Sequence, residues 1–321
     1  MAVKFGVFVP QGWKMDLVGI ADPIAQYEAM TRVAQVADQL PGIDSIWVYD
    51  HFHTIPVPTM QTTFECWTIT AGLARDTKRV KVGQMVTCNG YRNPALLAKI
   101  ASTTDVLSHG RLICGLGAGW YEHEWRAYGY GFPDVPVRMG MFREACEIIY
   151  KMWTEDKPTF QGKYYSIDGP INEPKGARKP HPEFWLGGGE KVTLKLVAKW
   201  ADGCNIGGGN PEVIRQKLDV LGGHCEALGR DISTIAISTG MDIHLLKDGE
   251  DPAHAGDWAG GVLSAEQYQR QFRVGTADQI TEKIQAVVDA GANYIIVYMP
   301  GLAYDPSMLQ HFAETVIPRF S

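Results

Sequence analysis

The chain alternates between short runs of β-branched and aromatic residues and longer stretches whose apolar residues recur three and four apart. The first pattern predicts strands over 5–10, 44–49, 80–86, 111–116, 184–186, 204–206, 234–246 and 294–299. The second predicts amphipathic helices between them. Tyr27, Met30, Val33, Ala37 and Leu40 mark the first helix, and Leu97, Ile100, Ala101, Thr104 and Leu107 the third. Ile214, Leu218, Leu221 and Cys225 mark the sixth, and Ile280, Ile284, Val287 and Val288 the seventh.

Helix starts are signalled by Asp22-Pro23, Asn93-Pro94 and Asn210-Pro211, each a side-chain acceptor at the N-cap followed by proline. Helix exits are signalled by Pro41-Gly42, His109-Gly110 and Ala290-Gly291, where glycine can take the left-handed conformation. Eight strand–helix units in order predict one α/β domain over 1–321, a (β/α)₈ TIM barrel. Periodicity alone leaves a doubly wound open sheet as the alternative, but eight units with no surplus favour closure. Three irregular insertions interrupt the pattern. They are an aromatic and glycine-rich stretch over 120–136 after the fourth strand, 157–183 before the fifth with a hairpin over 159–168, and 247–263 after the seventh. The last reads as a mobile lid.

Composition narrows the function more than the fold. The 321 residues are 45% hydrophobic and 21% charged, with a net charge of −6. That charge, and the absence of an aromatic-basic stripe, argue against a nucleic-acid partner. No apolar run approaches the length of a membrane span. The N-terminal stretch carries Lys4 and reads directly as a strand rather than as a secretory leader. Cys66, Cys88, Cys114, Cys146, Cys204 and Cys225 are scattered without a CxxC spacing. They read as the reduced thiols of a cytoplasmic protein, not as a disulfide framework or a zinc site.

A barrel of this kind builds its site from the C-terminal ends of its strands. Those positions are Gln11, then Asp50-His51-Phe52-His53, Thr87-Cys88-Asn89, Gly117-Ala118-Gly119-Trp120, Gly187-Gly188-Gly189, Gly207-Gly208-Gly209 and Met299-Pro300-Gly301. Each glycine triplet runs from a strand into a helix, so free backbone N–H groups meet the positive end of a helix dipole. One triplet alone reads equally well as a tight turn; two on adjacent strands favour an anionic ligand, with Lys191 adding charge. His51 and His53 form an H-x-H that can begin a divalent-metal site. The later strand ends supply only glycine, while His181, His224 and His311 precede a strand or lie in helices, so no metal is expected. His51 then reads as a proton donor or acceptor beside a redox ring, with Asp50 orienting it or contacting the cofactor; a hydrogen-bonded rim histidine is the alternative. The aromatics of 120–132 either wall a flat ligand or pack the loop as a satellite core. Glu122, His123 and Glu124 are acid–base candidates there, each otherwise a solvated loop residue.

Five segments together resemble the luciferase-like monooxygenase superfamily, and within it the oxidoreductases that use the deazaflavin coenzyme F420. They are DSIWVYDHF (44–52), VGQMVTCNGYRNPALLAK (82–99), SHGRLICGLGAGWYEHEWRAYGYGFP (108–133), FWLGGGEKVTLKLVAKWADGCNIG (184–207) and VGTADQITEKIQAVVDAGANYIIVYMPG (274–301). The resemblance implies a homodimeric barrel with the ring in its mouth. Asp50 and His51 fall where the family contacts the ring and transfers a proton. Val86, Thr87 and Asn89 fall where it lines the ring, Ala118, Gly119 and Trp120 on the next strand end, and Gly188, Gly189, Lys191 and Val192 where it holds the cofactor phosphate. It also implies a non-proline cis peptide at Met85–Val86. One departure matters. The sugar-phosphate dehydrogenases of this branch place a carboxylate directly after the strand-four Gly-x-Gly and a tryptophan four residues beyond the DH histidine. This chain has Trp120 and Ile55 there, so another small organic substrate is expected. The leading expectation is F420-linked hydride transfer. The alternatives are an FMN-dependent monooxygenase and a non-catalytic flavin-binding barrel.

Overall fold

The computed structural model describes residues 2–256 and 264–320. Eight strands run parallel and close on themselves: β1 (Lys4–Phe8), β2 (Ile43–Val48), β3 (Lys81–Gln84), β5 (Leu112–Gly117), β8 (Glu183–Gly187), β9 (Gly203–Asn205), β10 (Ala236–Leu245) and β12 (Tyr294–Tyr298). Each pairs with the next in that order, and β12 returns to β1, which excludes the open sheet. Met85–Val86 is a cis peptide, and the third strand breaks there and resumes as β4 (Thr87–Cys88), which pairs with β5. The hairpin of the second insertion is β6 (Thr159–Gln161) and β7 (Ser166–Asp168). A short strand β11 (Arg273–Gly275) adds to the end of β10.

The strands are short and apolar because both faces are buried. Large aromatics on some strands fill the barrel interior, and glycines on others make room for them. Trp47 and Trp185 lie 5.1 Å apart, and Tyr294 meets Trp185 edge-on at 5.0 Å. A Cβ on Gly6 or Gly83 would stand 2.5 Å from the Trp47 ring, and one on Gly203 would stand 2.5 Å from that of Trp185. The outer faces of the strands meet α1 (Pro23–Gln39), α2 (Cys66–Asp76), α3 (Pro94–Leu107), α5 (Val135–Thr154), α6 (Lys191–Trp200), α7 (Pro211–Leu228), α9 (Ala277–Asp289) and α10 (Ser307–Thr315) in the main core. The remaining helices are α4 (Glu122–Ala127) and α8 (Ala265–Gln271). No described helix is long and apolar enough to cross a membrane.

The helix punctuation read from the sequence holds at every start. Asp22, Asn93 and Asn210 each accept first-turn amides through their side chains. It holds at two exits, where Gly110 and Gly291 have φ of 84° and 109°. Gly42 is different: its φ is not positive, and a Cβ there would lie 2.7 Å from Ile317, so packing rather than conformation requires it. All six cysteines are free and buried. The third insertion is described only in part, since 257–263 of the expected lid lie outside the described residues.

Candidate active site

At the C-terminal ends of the strands lies a cavity of about 360 Å³, lined in part by Trp13, Asp50, His51, Val86, Ala118, Gly119, Trp120 and Gly188. A second hollow of about 330 Å³ shares Tyr49, Met85 and Asn205 with it and continues to Asp242 and Arg273. Together they are lined by residues at or just beyond the ends of β1, β2, β3, β5, β8 and β9, and by β10.

His51 is 9% exposed, and its ring stacks on Trp13 at 4.3 Å with 2° between planes. Its Nδ1 lies 2.8 Å from Glu124 Oε2. Glu124 is fully buried, and its other oxygen accepts the Phe52 and His53 amides at 2.6 and 2.8 Å. The Tyr91 hydroxyl donates to Oε2 at 2.7 Å. Burial alone would raise the Glu124 pKa. The His51 bond and charge, the His53 amide and the Tyr91 hydroxyl together outweigh it and hold the carboxyl below its ordinary range. The ionised carboxylate thereby fixes the ring plane of His51 and leaves Nε2 as its remaining polar atom.

Asp50 has a different task. Its oxygens accept from Arg92 at 2.6 and 3.0 Å and from the Cys88 amide at 2.8 Å. Arg92 also bonds Glu65. Burial pushes the Asp50 pKa up against the opposing pull of Arg92. The carboxylate that orients His51 is therefore Glu124, not its chain neighbour Asp50. The reading of Glu124 as a solvated loop residue is likewise corrected, because α4 turns it inward. Periodicity gave no sign of this helix, which is only six residues long.

Val86 stands where two strands, β5 and β8, end in glycine. A Cβ on Gly117 would approach Val86 Cγ2 to 2.6 Å, one on Gly187 Val86 Cγ1 to 2.8 Å, and one on Gly115 the same methyl to 3.3 Å. Ala118 and Gly119 line the same cavity. A Cβ on Gly119 would stand 2.5 Å from Cys88 Sγ. Trp120 is 61% exposed and stacks beside Tyr121. Trp125 instead joins Cys88 and Tyr91, with Phe52 and Phe132 packed against them, as a satellite core. The aromatic loop thus lines the cavity with Trp120 and Tyr121 and packs a satellite core with Trp125 and Phe132.

Thr87 and Asn89, expected to line the ring, are buried and do not line this cavity, although their neighbours Val86 and Cys88 do. The Thr87 hydroxyl accepts from Trp67 Nε1 at 3.1 Å. Asn89 is buried, its Nδ2 reaches Tyr165 only at 3.5 Å, and its Oδ1 has no hydrogen-bond partner.

The two glycine triplets part company. Gly188 has a φ of 119° and opens onto the cavity with Thr193. Glu190, the N-cap of α6, makes no side-chain cap, so the first-turn amides there have no side-chain acceptor. Gly189 borders the Lys217 side chain, and Lys191 and Val192 are exposed on α6 outside the mouth. At the second triplet Asn210 already accepts the Glu212 and Val213 amides, and Arg273 donates to the Gly208 and Gly209 carbonyls. At the first triplet the first-turn amides of α6 lack a side-chain acceptor, although the Gly188 amide itself donates to the Asn205 carbonyl at 3.3 Å. The second is a capped turn.

Asp242 and Lys14 went unnoticed in the sequence because Asp242 lies inside the predicted strand 234–246 rather than at its end, and Lys14 three residues beyond Gln11. Lys14 Nζ donates to both Asp242 oxygens at 3.1 and 2.9 Å and sits 3.9 Å above the Tyr298 ring.

The mouth fits a flat conjugated ring carrying an anionic arm. A slot backed by Val86 and flanked by side-chain-free strand ends admits a ring. A buried, unpartnered Asn89 Oδ1 stands nearby, and an uncapped helix start suits a phosphate.

Comparison with known proteins matches residues 3–253 to the luciferase-like monooxygenase family model. An F420-dependent glucose-6-phosphate dehydrogenase of Kineococcus radiotolerans is 30% identical across 96% of this chain and 97% of its own. An FMNH(2)-dependent dimethylsulfone monooxygenase of Pseudomonas putida is 26% identical across 79% of this chain and 78% of its own. The solved structure of an F420-dependent secondary alcohol dehydrogenase in complex with an F420-acetone adduct superposes with a TM-score of 0.77 at 20% identity, covering both chains completely, and shares the fold.

Proposed function

The chain belongs to the luciferase-like monooxygenase family, and from that premise we propose that it is an oxidoreductase transferring hydride between coenzyme F420 and a small organic substrate. The observation that carries this reading is His51, held by the buried Glu124 carboxylate at the edge of a ring-sized cavity. Relatives bearing the F420-dependent name match nearly the whole chain, which supports the cofactor.

When bound, F420 supplies or accepts a hydride at its ring, a two-electron chemistry that leaves the protein to place the ring and manage one proton. His51 does the second through Nε2, with Glu124 compensating the imidazolium charge. Val86 and the strand-end glycines shape the slot, and Asp50 with Arg92 braces the strand end that carries His51. Gly188, Gly189 and the first turn of α6, with Lys191 and Val192, take the phosphate; Thr87 and Asn89 back the ring from behind the wall. Trp13, Trp120 and Tyr121 exclude water around the imidazole. Glucose 6-phosphate is not carried over as substrate, because Trp120 and Ile55 replace a carboxylate and a tryptophan of the sugar-phosphate pattern. We take the whole chain to act as one domain and to pair as a homodimer; light scattering tests the pairing.

The second reading is an FMN-dependent monooxygenase, favoured by the dimethylsulfone monooxygenase match. Titration with F420 and with FMN, followed by fluorescence, separates the two. Tight F420 binding with substrate-dependent reduction or oxidation is expected. FMN binding without an F420 signal would overturn the proposal.

A further inference from the structure

Gly6, Gly83 and Gly203 leave room for the Trp47 and Trp185 rings, and Gly117 and Gly187 leave room for Val86. Gly240, in the middle of β10, differs from all of these. Its φ is not positive, and a Cβ there would meet no atom within 4 Å. A glycine inside a strand weakens that strand, and it marks a bulge or the close approach of another group. There is no bulge, because β10 pairs with β12 in unbroken register across this point, Gly240 opposite Ile296. Gly240 lines the second hollow of the barrel mouth, so the space left beside it belongs to that hollow.

The hollow has a charge as well as a shape. Asp242, two residues along β10, is the one carboxylate in its lining among the described residues, and Lys14 already binds both of its oxygens. Arg273, half-buried at the start of β11, also lines the hollow and makes no ion pair among the described residues. Its Nη2 donates to the Gly208 and Gly209 carbonyls at 3.3 and 3.2 Å, and no other N–H of the guanidinium has an acceptor there. The bland role for such an arginine is to clamp the glycine turn. That role occupies one nitrogen. It explains neither the space beside Gly240 nor a cation without counter-charge in a hollow that joins the His51 cavity through Tyr49, Met85 and Asn205.

We propose that the second hollow is the substrate pocket and that it selects a small hydroxy or oxo monocarboxylate. Arg273 takes the carboxylate, and Gly240 makes room for the carbon chain that joins it to the reacting centre. The inference rests on the hydride-transfer reading of the His51 cavity. In the oxidative direction the carbinol C–H bond breaks and its hydride passes to oxidised F420. The hydroxyl proton passes to His51 Nε2, a C=O bond forms, and the carboxylate is unchanged. A guanidinium fork suits a carboxylate through two parallel hydrogen bonds. The Lys14–Asp242 pair is neutral as a unit, so the lining carries one uncompensated positive charge for one negative charge on the substrate. Phe8 and Met85 supply an apolar wall for the chain.

The test is equilibrium binding by titration calorimetry of 4-oxopentanoate and 5-oxohexanoate, each against its primary amide, to the protein with and without F420. The wild type should bind each acid about tenfold more tightly than its amide, the worth of one charge-assisted pair. Arg273→Gln should abolish that preference, and Arg273→Lys, which keeps the charge without the fork, should retain part of it. Gly240→Val should keep its melting temperature, since the new side chain meets no packed atom and suits a strand. It should weaken acid and amide alike by about tenfold or more through loss of the space they fill, and leave F420 affinity, read by deazaflavin fluorescence, unchanged. Equal affinities for acid and amide in the wild type, no measurable binding of either acid, or a preference that survives Arg273→Gln would overturn the pocket assignment. A Gly240→Val protein that loses F420 and keeps the acids would do the same. Absence of the deazaflavin signal from the wild type would remove the cofactor reading instead, and the acid preference of the unloaded protein would then decide the pocket by itself.

Discussion

The two edges of the barrel mouth are built from different material. One edge is made of side chains: His51 stacked on Trp13, tied to Glu124, which is tied in turn to Tyr91 and two backbone amides. The other is made of backbone: Gly187 and Gly188 at a strand end, and an α6 start that no side chain caps. Proton handling needs a titratable group at one fixed angle, which only a side chain held by others provides. Anion binding needs several small donors that converge, which backbone supplies once Cβ atoms are out of the way. The first edge should therefore respond to substitution in turnover, and the second in affinity.

The largest test of that division is His51→Asn. Turnover should fall by about 10²- to 10⁴-fold, the usual worth of a positioned acid–base group. The dissociation constant of F420 should change only a few-fold; a large loss of binding with normal residual turnover would erase the division. Next comes Glu124. Glu124→Ala leaves the Tyr91 hydroxyl and the Phe52 and His53 amides without their acceptor, and should cost about 2–4 kcal/mol in denaturant unfolding. Glu124→Gln keeps an acceptor and should cost less stability, yet still slow turnover about tenfold by removing the charge opposite the imidazole. A sharper form of this test uses pH. Glu124 sits below its ordinary value of 4.5. Its ionised form contributes stability that is complete above that pH and lost as pH falls through the lower folded value. The stability gap between the wild type and Glu124→Gln should accordingly narrow in acid, measured by urea unfolding from pH 7 downward.

On the backbone edge the effects are smaller. Gly188→Ala must hold a φ of 119° with a Cβ, and should weaken F420 binding about tenfold while turnover at saturation changes little. Smallest is Asn210→Ala, beside the second glycine triplet. It should cost about 1 kcal/mol of stability through loss of the α7 cap and leave cofactor affinity untouched. Equal effects of these two on affinity would mean that the triplets are alike after all.

These contrasts bear on what the sequence makes legible. Strand number and sequence order follow from local signals, since burial of both strand faces and proline-marked helix starts both leave local traces; closure does not, and is favoured only because eight units leave no surplus. The strand-end filter likewise brought Asp50, His51, Cys88, Ala118, Gly119, Trp120 and Gly188 to one cavity, whereas Val86 came from the family resemblance. Partnership across space leaves no such trace. Glu124 and Glu122 look alike in the chain, and only the turn of α4 sends one inward to His51 and leaves the other outside, ion-paired with Arg126. Asp50 is adjacent to His51, yet strand alternation and Arg92 take its carboxylate elsewhere. The triplets at 187–189 and 207–209 read identically, and Asn210, one residue beyond the second, decides between them.

The packing around Val86 also sets an order in which this site can change. Its two methyls occupy the space that Cβ atoms at Gly117 and Gly187 would claim. An alanine at Gly117 or Gly187 is overpacked while valine remains, and trimming residue 86 first opens the room; one at Gly115 would meet the Gln84 carbonyl oxygen at 1.9 Å whatever stands at 86. Val86, Gly117 and Gly187 therefore behave as one locus under selection. Paths that shorten residue 86 before enlarging a glycine stay folded, while the reverse order passes through a clash, so libraries that vary these positions one at a time will miss most viable combinations.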